Sequence, residues 1–305
     1  ATAALLAVAG AARAEFPEKP ITMLIGYAPG GGTDTVGRVL AKGMSEALGQ
    51  PINVVNMPGA AGGVAATTLT AKAPDGYTIL LAPTATITSY PLSNEALTYK
   101  PEDFTVFASV ADFQPALVAP ASAPYDSFDE FVAWAKENGP AKYAILTPTS
   151  RMIMELIEQQ ESIAVNYIPL RSGGDMVNGL MGKQFDIAYS GGVHQRYPDD
   201  IKALVSASGR KLVLDPDVPT LPELGYDIDG VSSFVVFGPA AVEADVRARL
   251  EAAVAEAFKG EDVQKVLMNT GFPARFVGGD EATAEMMTQY ASDKKLIERM
   301  GAALQ

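Results

Sequence analysis

Strand-like and helix-like segments alternate regularly between residues 21 and 82, and this order constrains the fold more than any other feature of the sequence. Apolar residues 21–27 are typical of a buried strand, and residues 36–48 repeat apolar side chains at helical spacing up to Gly49, a natural helix stop. The pattern then repeats, with strand-like segments at residues 52–55 and 77–82 on either side of a helical segment at 64–72. This order predicts a parallel sheet covered by helices on both faces.

A second unit of the same kind begins near residue 112. A short strand pattern at residues 116–119 lies between prolines, and a helix opens at Ser127, where Ser127 and Glu130 make a capping box. Further patterns alternate, with strands near residues 143–146, 166–168, 187–189 and 201–205 and helices near 153–158 and 176–181. The alternation predicts a second α/β lobe.

The end of the chain contains a strand-like run at residues 232–237 and helical patterns near 243–259, 263–270 and 281–300. These segments have no lobe of their own to complete, so the economical topology returns them to the first lobe. We therefore predict an α/β fold of two mixed sheets flanked by helices, joined by a two-strand hinge with crossings near 117–121 and 232–237. The predicted division places residues 15–118 and 236–305 in lobe 1 and residues 119–235 in lobe 2.

The first fourteen residues contain a short apolar run at residues 5–9, followed by Ala12-Arg13-Ala14. An apolar stretch too short to span a bilayer, followed by small residues, is typical of the end of a secretory signal peptide. We interpret residues 1–14 as a signal-peptide remnant and expect export to the periplasm; the alternative is an ordered N-terminal helix. No later run of about eighteen apolar residues exists, so nothing else is expected to span a membrane.

Charge and composition exclude several classes of protein. The chain has 23 Lys and Arg against 36 Asp and Glu, a formal net charge of −13, which argues against nucleic acid as a partner. It has no cysteine and one histidine, His194, so disulfides, cysteine-based zinc sites and multi-histidine metal sites are excluded. We expect no catalytic residues, no cofactor and no metal. His194 alone would have to serve any Ser-His-Asp triad, and its place after Gly191-Gly192 predicts an exposed loop residue instead.

The turn after the first predicted strand is the part of the sequence most informative about function. Glycines at a strand-to-helix turn let the backbone approach a ligand, and the helix start presents unpaired N–H groups and the positive end of its dipole to an anion. The alternative is that Thr33 or Asp34 simply caps the helix. Asp34 is expected to hold the loop rather than touch a carboxylate, because like charges repel. The predicted ligand-binding residues here are Tyr27, Pro29, Gly30, Gly31, Gly32, Thr33 and Asp34.

Polar or glycine-bearing turns follow several other predicted strands of both lobes. Open α/β sheets bind ligands at the carboxyl edge, where such turns meet, so these turns predict a cleft between the lobes. Arginine can bind a carboxylate through two parallel N–H hydrogen bonds. The alternative interpretation of Arg151 is a solvated charge on the surface. The predicted ligand-binding residues are Thr84 and Thr86 in the first lobe, and Thr147, Thr149, Ser150, Arg151, Arg171, Ser190 and Gly191 in the second.

Several short motifs follow one another in the order and spacing of a known family. They are residues 16–21 (FPEKPI), 28–34 (APGGGTD), 48–51 (LGQP), 56–60 (NMPGA) and 74–78 (PDGYT), and later Arg210 with residues 217–225 (DVPTLPELG). The chain resembles the substrate-binding proteins of tripartite tricarboxylate transporters, the Bug or TctC family. The resemblance covers essentially the whole chain after residue 14.

The resemblance implies a type II-like Venus-flytrap fold, in which a small organic acid is held between the lobes by backbone amides and ordered waters. It implies that the loops from Pro29 to Asp34 and from Thr147 to Arg151 contact the ligand. It also implies delivery of the ligand to the membrane permease of such a transporter. We expect a monomer.

This chain departs from the family pattern in the second lobe. Its second-lobe loop lacks the usual Gly-Ser and a nearby His, and the usual V-P-Y-K-G segment reads Ile168-Pro169-Leu170-Arg171-Ser172-Gly173. Arg151 and Arg171 favour a dicarboxylate, a tricarboxylate or an aromatic acid over a neutral ligand. One alternative role is ligand sensing through a membrane histidine kinase. A less favoured alternative is an exported α/β hydrolase, which would need a G-x-S-x-G motif that the sequence lacks.

Overall fold

A computed structural model describes residues 16–170, 172–228 and 232–303 of the chain. The predicted signal-peptide remnant at residues 1–14 and the predicted ligand-binding residue Arg171 lie outside the described residues. Within the three described ranges, no helix combines the length and the apolar character that crossing a bilayer requires.

The first sheet has six strands in the described part of the chain, in the order β11-β4-β10-β3-β1-β2. They are β1 (Ile21–Ile25), β2 (Ile52–Asn56), β3 (Thr78–Pro83), β4 (Phe104–Asp112), β10 (Ser233–Pro239) and β11 (Ala274–Gly278). Strand β1 pairs in parallel with β2 and β3, whereas β10 is antiparallel to β3 and β4. The sheet is mixed, and its parallel strands are those that the alternating pattern predicts.

The second sheet has five strands within the same described ranges, in the order β7-β6-β8-β5-β9. They are β5 (Ala116–Pro120), β6 (Ala141–Ile145), β7 (Val165–Pro169), β8 (Ile187–Ser190) and β9 (Ile201–Ser206). Strand β6 is parallel to β7 and β8, and β5 is antiparallel to β8 and β9. This sheet is mixed as well, so the prediction of two mixed sheets is confirmed.

Helices cover both sheets and bury their apolar faces against them. The helices are α1 (Gly32–Leu48), α2 (Gly63–Thr70), α3 (Ser89–Ser93), α4 (Phe128–Asn138), α5 (Pro148–Glu161), α6 (Gly173–Met181), α7 (Ala244–Lys259), α8 (Glu261–Thr270) and α9 (Gly279–Ala303). Helices α1, α7 and α8 form one core with the first sheet, and α2, α3 and α9 form another. Helices α4 and α5 share a core in the second lobe, and α6 packs in a separate one.

Two helix boundaries follow from local chemistry. The N–H of Glu130 donates to Oγ of Ser127 at 3.2 Å, so α4 begins where the capping pattern predicts. Gly49 closes α1 in the left-handed region, at φ 70°, and its N–H donates to the carbonyl of Ser45 at 3.0 Å. Glycine adopts this conformation without steric cost, which explains why the helix ends there.

Strands β4 and β11 are not predicted from the sequence. All but one residue of β4 are buried, so the strand lacks the alternation of apolar and polar residues that marks a half-buried strand. Strand β11 has five residues, of which Val277 alone is buried, and it lies at the edge of the sheet. Both strands are recognisable only from the neighbours that they pair with.

The chain passes between the sheets at residues 113–115, and it returns to the first sheet at Ser233, the first residue of β10. The N–H of Gln114 donates to the carbonyl of Gly191 at 2.9 Å, so the end of β8 is attached to this crossing. Two neighbouring strands, β4 and β10, therefore carry the chain across, as the predicted two-strand hinge requires.

The predicted lobe limits at residues 118/119 and 235/236 stay predictions. The strands place Ala116 in the second sheet and Ser233 in the first, so the change of sheet falls two to three residues before each predicted limit. The ends of the strands, and not the centres of the apolar runs, mark where the chain passes from one sheet to the other.

Helix α9 connects the two lobes. Its residue Met286 packs in a core of the first lobe together with Tyr90 and Phe104. Ten residues later, Leu296 belongs to the same second-lobe core as Ile157. The helix also contacts both α3 and α5. The last helix therefore packs in a core of the first lobe and in addition lies against the second.

Candidate functional site

The glycine turn after β1 ends at the start of helix α1. Gly31 is the residue that precedes the helix, and among the described residues no side chain accepts a hydrogen bond from the first turn of the helix. The alternative that Thr33 or Asp34 caps α1 is therefore wrong, because both lie inside the helix. The first N–H groups of a helix have no partner within the helix. The exposed turn from Pro29 to Gly32 thus ends at a helix start whose amides are available to an anion.

Asp34 turns its carboxylate inward, beneath this loop. Its Oδ2 accepts hydrogen bonds from Gly30 N–H at 2.9 Å and from Arg38 Nε at 3.0 Å, and its Oδ1 accepts from Asn56 Nδ2 at 2.8 Å. Burial alone would raise the pKa of Asp34, but the bonds from Arg38, Gly30 and Asn56 outweigh burial and lower it. Asp34 therefore holds the loop as an anion, the role expected of it. Arg38 and Asn56, its partners, were not predicted.

Tyr27, Thr84 and Thr86 lie at the same edge of the first sheet, but their hydroxyls are used within the lobe. Tyr27 donates to the carbonyl of Ala61 at 2.9 Å and lies 3.1 Å from Oγ1 of Thr86. Oγ1 of Thr84 donates to the carbonyl of Ser233 at 3.1 Å. Burial raises the pKa of Tyr27 to about 12, so its hydroxyl stays protonated. These residues shape the edge on which the glycine loop lies.

In the second lobe, Thr147 and Ser150 cap helix α5. Ser150 N–H donates to Oγ1 of Thr147 at 3.0 Å, and Thr147 N–H donates to Oγ of Ser150 at 3.1 Å. Ser150 is fully buried, so its hydroxyl is committed to the cap. Oγ1 of Thr149, in contrast, is buried without a hydrogen-bond partner among the described residues. Thr149 therefore carries a hydroxyl of this turn that no described residue uses.

Arg151 lies on the exposed side of α5. Its Nε is 2.6 Å from Oε1 of Glu155, and its guanidinium lies 4.8 Å from the centre of the Tyr167 ring. The side chain is 53% exposed. This arrangement agrees with the surface-charge alternative, and Arg151 would have to leave Glu155 to bind a ligand carboxylate.

His194 is buried, with 2% of its surface exposed, so the prediction of an exposed loop residue is wrong. Gly192, at φ 137°, turns the chain back onto β8. Oγ of Ser190 accepts from the N–H groups of Gly192 and His194 at 3.2 and 3.3 Å and lies 2.8 Å from Nδ1 of His194. Since Ser190 already accepts two bonds, we assign its hydrogen to Nδ1. Burial lowers the pKa of His194 to about 4, so the ring is neutral at pH 7.

An aromatic cluster joins the loop edges of the two lobes. It consists of Phe113, Phe234 and Phe272, with ring centres 4.5 to 5.1 Å apart. A side chain added at Gly32 would meet Phe272, and one added at Gly191 would meet Phe113. The glycine loop of the first lobe and the Ser190-Gly191 turn of the second therefore pack against the same cluster.

The carboxyl ends of the parallel strands face each other across this hinge. Strand β3 ends at Pro83, which is paired with Phe234, and β8 ends at Ser190, which is paired with Ala116. Strands β1 and β6 run parallel to β3 and β8, so the turns that follow them lie at the same two edges. The loops at residues 29–34 and 147–151 therefore belong to facing sheet edges. In the described part of the chain, no group of His, Cys, Asp and Glu is arranged to hold a metal ion.

Two α/β lobes on a two-strand hinge, with glycine- and hydroxyl-bearing loops at facing sheet edges, are the architecture of a solute-binding protein. Residues 36–302 match the family described as the tripartite tricarboxylate transporter family receptor. The chain belongs to this family, which confirms the resemblance seen in its motifs. The family is one of periplasmic solute-binding receptors and not of enzymes.

Similar proteins agree with this assignment. Protein BugT of Bordetella pertussis is 33% identical over 267 residues, covering 84% of this chain and 81% of BugT. A TctC solute-binding protein from Polaromonas, solved without ligand, has a TM-score of 0.77 at 25% identity and covers 93% of this chain and 99% of its own. MatC of Rhodopseudomonas palustris, solved with bound malate, has a TM-score of 0.77 at 25% identity over 92% of this chain and 100% of MatC.

Proposed function

We propose that this protein binds a small organic carboxylate between its lobes and delivers it to the permease of a tripartite tricarboxylate transporter. The observation that carries the proposal is the start of α1, where an exposed glycine turn precedes a helix without a side-chain cap. In the second lobe, Ser127, Thr147 and Ser172 cap their own helices with side-chain oxygens. The start of α1 is left open to an outside anion.

The charges around the turn support an anionic ligand. The carboxylate of Asp34 is directed at Gly30, Arg38 and Asn56, so its charge is neutralised inside the lobe. The first-turn amides of α1 and the positive end of the helix dipole then act on the ligand without a competing side chain. Across the cleft, the unpaired hydroxyl of Thr149 supplies a further donor from the second lobe.

The ligand class is a di- or tricarboxylate or an aromatic acid. MatC, which is 25% identical to this chain, was solved with malate, a dicarboxylate. If an arginine binds a second carboxylate, R151Q or R171Q should weaken binding of a dicarboxylate much more than binding of a monocarboxylate. Unchanged dicarboxylate affinity in both variants would show that neither arginine binds the ligand. The glycine turn would then be the single proposed anion-binding element.

Binding, rather than bond formation, performs the function. A ligand that contacts both lobes does so only in the closed form, and it therefore shifts the population toward closure. At about a hundred times its dissociation constant, such a ligand stabilises the fold by about 2.7 kcal/mol. A thermal-shift screen against monocarboxylates, succinate, malate, citrate and benzoate, with a neutral sugar as negative control, should identify the class. Absence of a shift with every acid would contradict the proposal.

A single substitution tests the open helix start directly. Gly31 has φ −75° and ψ 170°, which any residue adopts, and an added Cβ would meet nothing closer than 3.5 Å. In G31D the new carboxylate caps α1 and occupies the anion position, so affinity for the acid should fall at least tenfold while the fold stays intact. G31A is the matched control, since it adds a Cβ without an acceptor. Equal affinity in G31D and wild type would place the ligand elsewhere.

Delivery and export need separate tests. We propose cleavage after Ala14, which mass spectrometry of the protein isolated from the periplasm should show. Delivery to the permease predicts that deletion of the gene abolishes uptake of the identified acid, and that G31D fails to restore it. Restoration of uptake by G31D would separate the proposed site from transport.

A further inference from the structure

A cavity of about 440 Å³ lies between the first sheet, helix α9 and the segment that follows β9. Ser109 and Val235 form its floor on β4 and β10, Met286 and Glu281 border it on α9, and Arg210 closes it from the second lobe. None of residues 27–34 or 147–151 lines it. Thr84 alone is shared with the predicted ligand-binding residues, and its hydroxyl is engaged by Ser233.

The floor of the cavity contains an unsatisfied hydroxyl. Ser109 is 1% exposed, and its Oγ has no hydrogen-bond partner among the described residues. A buried polar group without a partner is costly, and each one in a folded protein calls for a reason. A polar ligand in the cavity would supply the missing hydrogen bond.

The charge at the border of the cavity is negative. Arg210 is committed to Asp112 at 2.9 Å and to Glu285 at 3.2 Å. Glu281 is exposed at the mouth, and within the described ranges it has neither an ion pair nor a hydrogen bond. The charged residues that line the cavity are Arg210, Glu281 and Glu285, so the lining carries one negative charge in excess. The unmatched carboxylate of Glu281 favours a cationic group on the ligand.

We propose that this cavity is a second binding site, for a small amino alcohol that places its ammonium group at Glu281 and its hydroxyl at Ser109. The apolar surfaces of Val235 and Met286 suit a short alkyl chain between the two polar ends. The site is chemically opposite to the carboxylate site, because it offers an anion to the ligand where the start of α1 offers amides. The proposal does not rest on the proposed function.

Titration calorimetry with 4-amino-1-butanol tests the proposal, with two analogues: butylamine, which lacks the hydroxyl, and 1,4-butanediol, which has a neutral hydroxyl in place of the ammonium group. Wild type should bind the amino alcohol saturably at one site and each analogue about three- to tenfold more weakly. E281Q should abolish the preference over 1,4-butanediol, and S109A the preference over butylamine. E298Q, at an exposed position further along α9, is the matched control and should bind like wild type.

Two further outcomes locate the site. A284F places a large side chain at an exposed position of the lining and should block binding of the amino alcohol without disturbing a core. Binding should persist in G31D and in the presence of saturating carboxylate, so failure of the carboxylate proposal would leave this result standing. Absence of saturable binding to folded wild type, or equal binding by E281Q, S109A and wild type, would overturn the proposal. Binding that survives A284F would overturn it as well.

Discussion

Nη1 of Arg210 lies 2.9 Å from Oδ2 of Asp112, and this ion pair ties the segment after β9 to the last residue of β4. Arg275 of β11 contacts the same oxygen at 2.7 Å, and Ser233 donates to the other oxygen at 2.7 Å. Asp112, at the end of one crossing strand, therefore contacts the other crossing strand, the edge strand β11 and the second lobe. Glu285 of α9 completes the group, since it pairs with Arg210 and Arg275. The hinge is held by a charge network rather than by apolar packing alone.

The two arginines of this network should differ in their effect on stability. R210Q removes a half-exposed side chain, and the carboxylates that it pairs with still have Arg275 as a partner. We therefore expect the free energy of unfolding to fall by about 1 kcal/mol. R275Q removes a partner from both Asp112 and Glu285, and Arg275 is less exposed than Arg210. The free energy of unfolding should therefore fall by about 2–3 kcal/mol. K259Q, which breaks an exposed pair with Glu256, is the control and should change little. Thermal unfolding gives the order, and a larger effect of R210Q than of R275Q would contradict it.

Asp34 should couple stability to ligand affinity. D34A removes the acceptor of Gly30, Arg38 and Asn56, so the free energy of unfolding should fall by about 2–3 kcal/mol. The glycine turn would lose its fixed shape, and affinity for the acid should fall in parallel. D34N keeps an acceptor oxygen and should lie between D34A and wild type in both measurements. A D34A protein that is less stable but binds the acid as wild type does would show that Asp34 does not position the turn.

The fold was predictable where a local pattern coincides with the final packing. The parallel strands of both lobes have turns with glycine or hydroxyl residues at their ends, and the amphipathic helices between them repeat at helical spacing. Strand β4 has no such pattern, because burial on both faces removes the alternation. The position of α9 against both lobes depends on Leu296 meeting residues more than a hundred positions earlier, and no local pattern encodes such a contact.

The candidate site was predictable at the level of loops and less so at the level of side chains. Sequence order is enough to place the glycine turn at a sheet edge. It does not reveal whether a hydroxyl is used inside the protein. The hydroxyl of Thr86 bonds to the carbonyl of Ala61 and that of Ser150 to the carbonyl of Thr147, whereas the hydroxyl of Thr149 has no partner among the described residues. The burial of His194 was missed for the same reason, because it depends on the turn at Gly192, which folds His194 back onto Ser190 at the end of β8.

Asp293 should destabilise the protein above pH 6. It is 4% exposed on α9, and its Oδ1 accepts a hydrogen bond from Nε2 of Gln289 at 2.7 Å. Burial raises its pKa from 3.8 to about 6, so the folded state binds a proton that the unfolded state releases between these values. This contribution therefore makes the protein more stable as the pH falls from 6 toward 4.

The variant D293N removes the charge and keeps the shape. It should stabilise the protein at pH 8 by up to about 3 kcal/mol, and the gain should disappear near pH 4, where the wild-type carboxyl is neutral. D262N is the control, because Asp262 is exposed and paired with Lys42 at 2.7 Å, and its loss should be slightly destabilising. Equal melting temperatures of D293N and wild type at pH 8 would show that the buried carboxylate is compensated.

His194 should act in the opposite direction over the same pH range. Burial lowers its pKa from 6.5 to about 4. Between these two values the unfolded state binds a proton that the folded state does not bind. The stability that depends on the neutral ring is complete above pH 6.5, and it is lost progressively as the pH falls toward 4, by up to about 3 kcal/mol.

H194N is the suitable variant, since its side-chain oxygen can replace Nδ1 as the acceptor of the Ser190 hydroxyl. At pH 8 this variant should be less stable than wild type because part of the ring volume is lost. Between pH 6.5 and 4 the difference in melting temperature should shrink, and the contribution of Asp293, common to both proteins, cancels in it. A constant difference across this range would mean that the ring takes up its proton inside the fold.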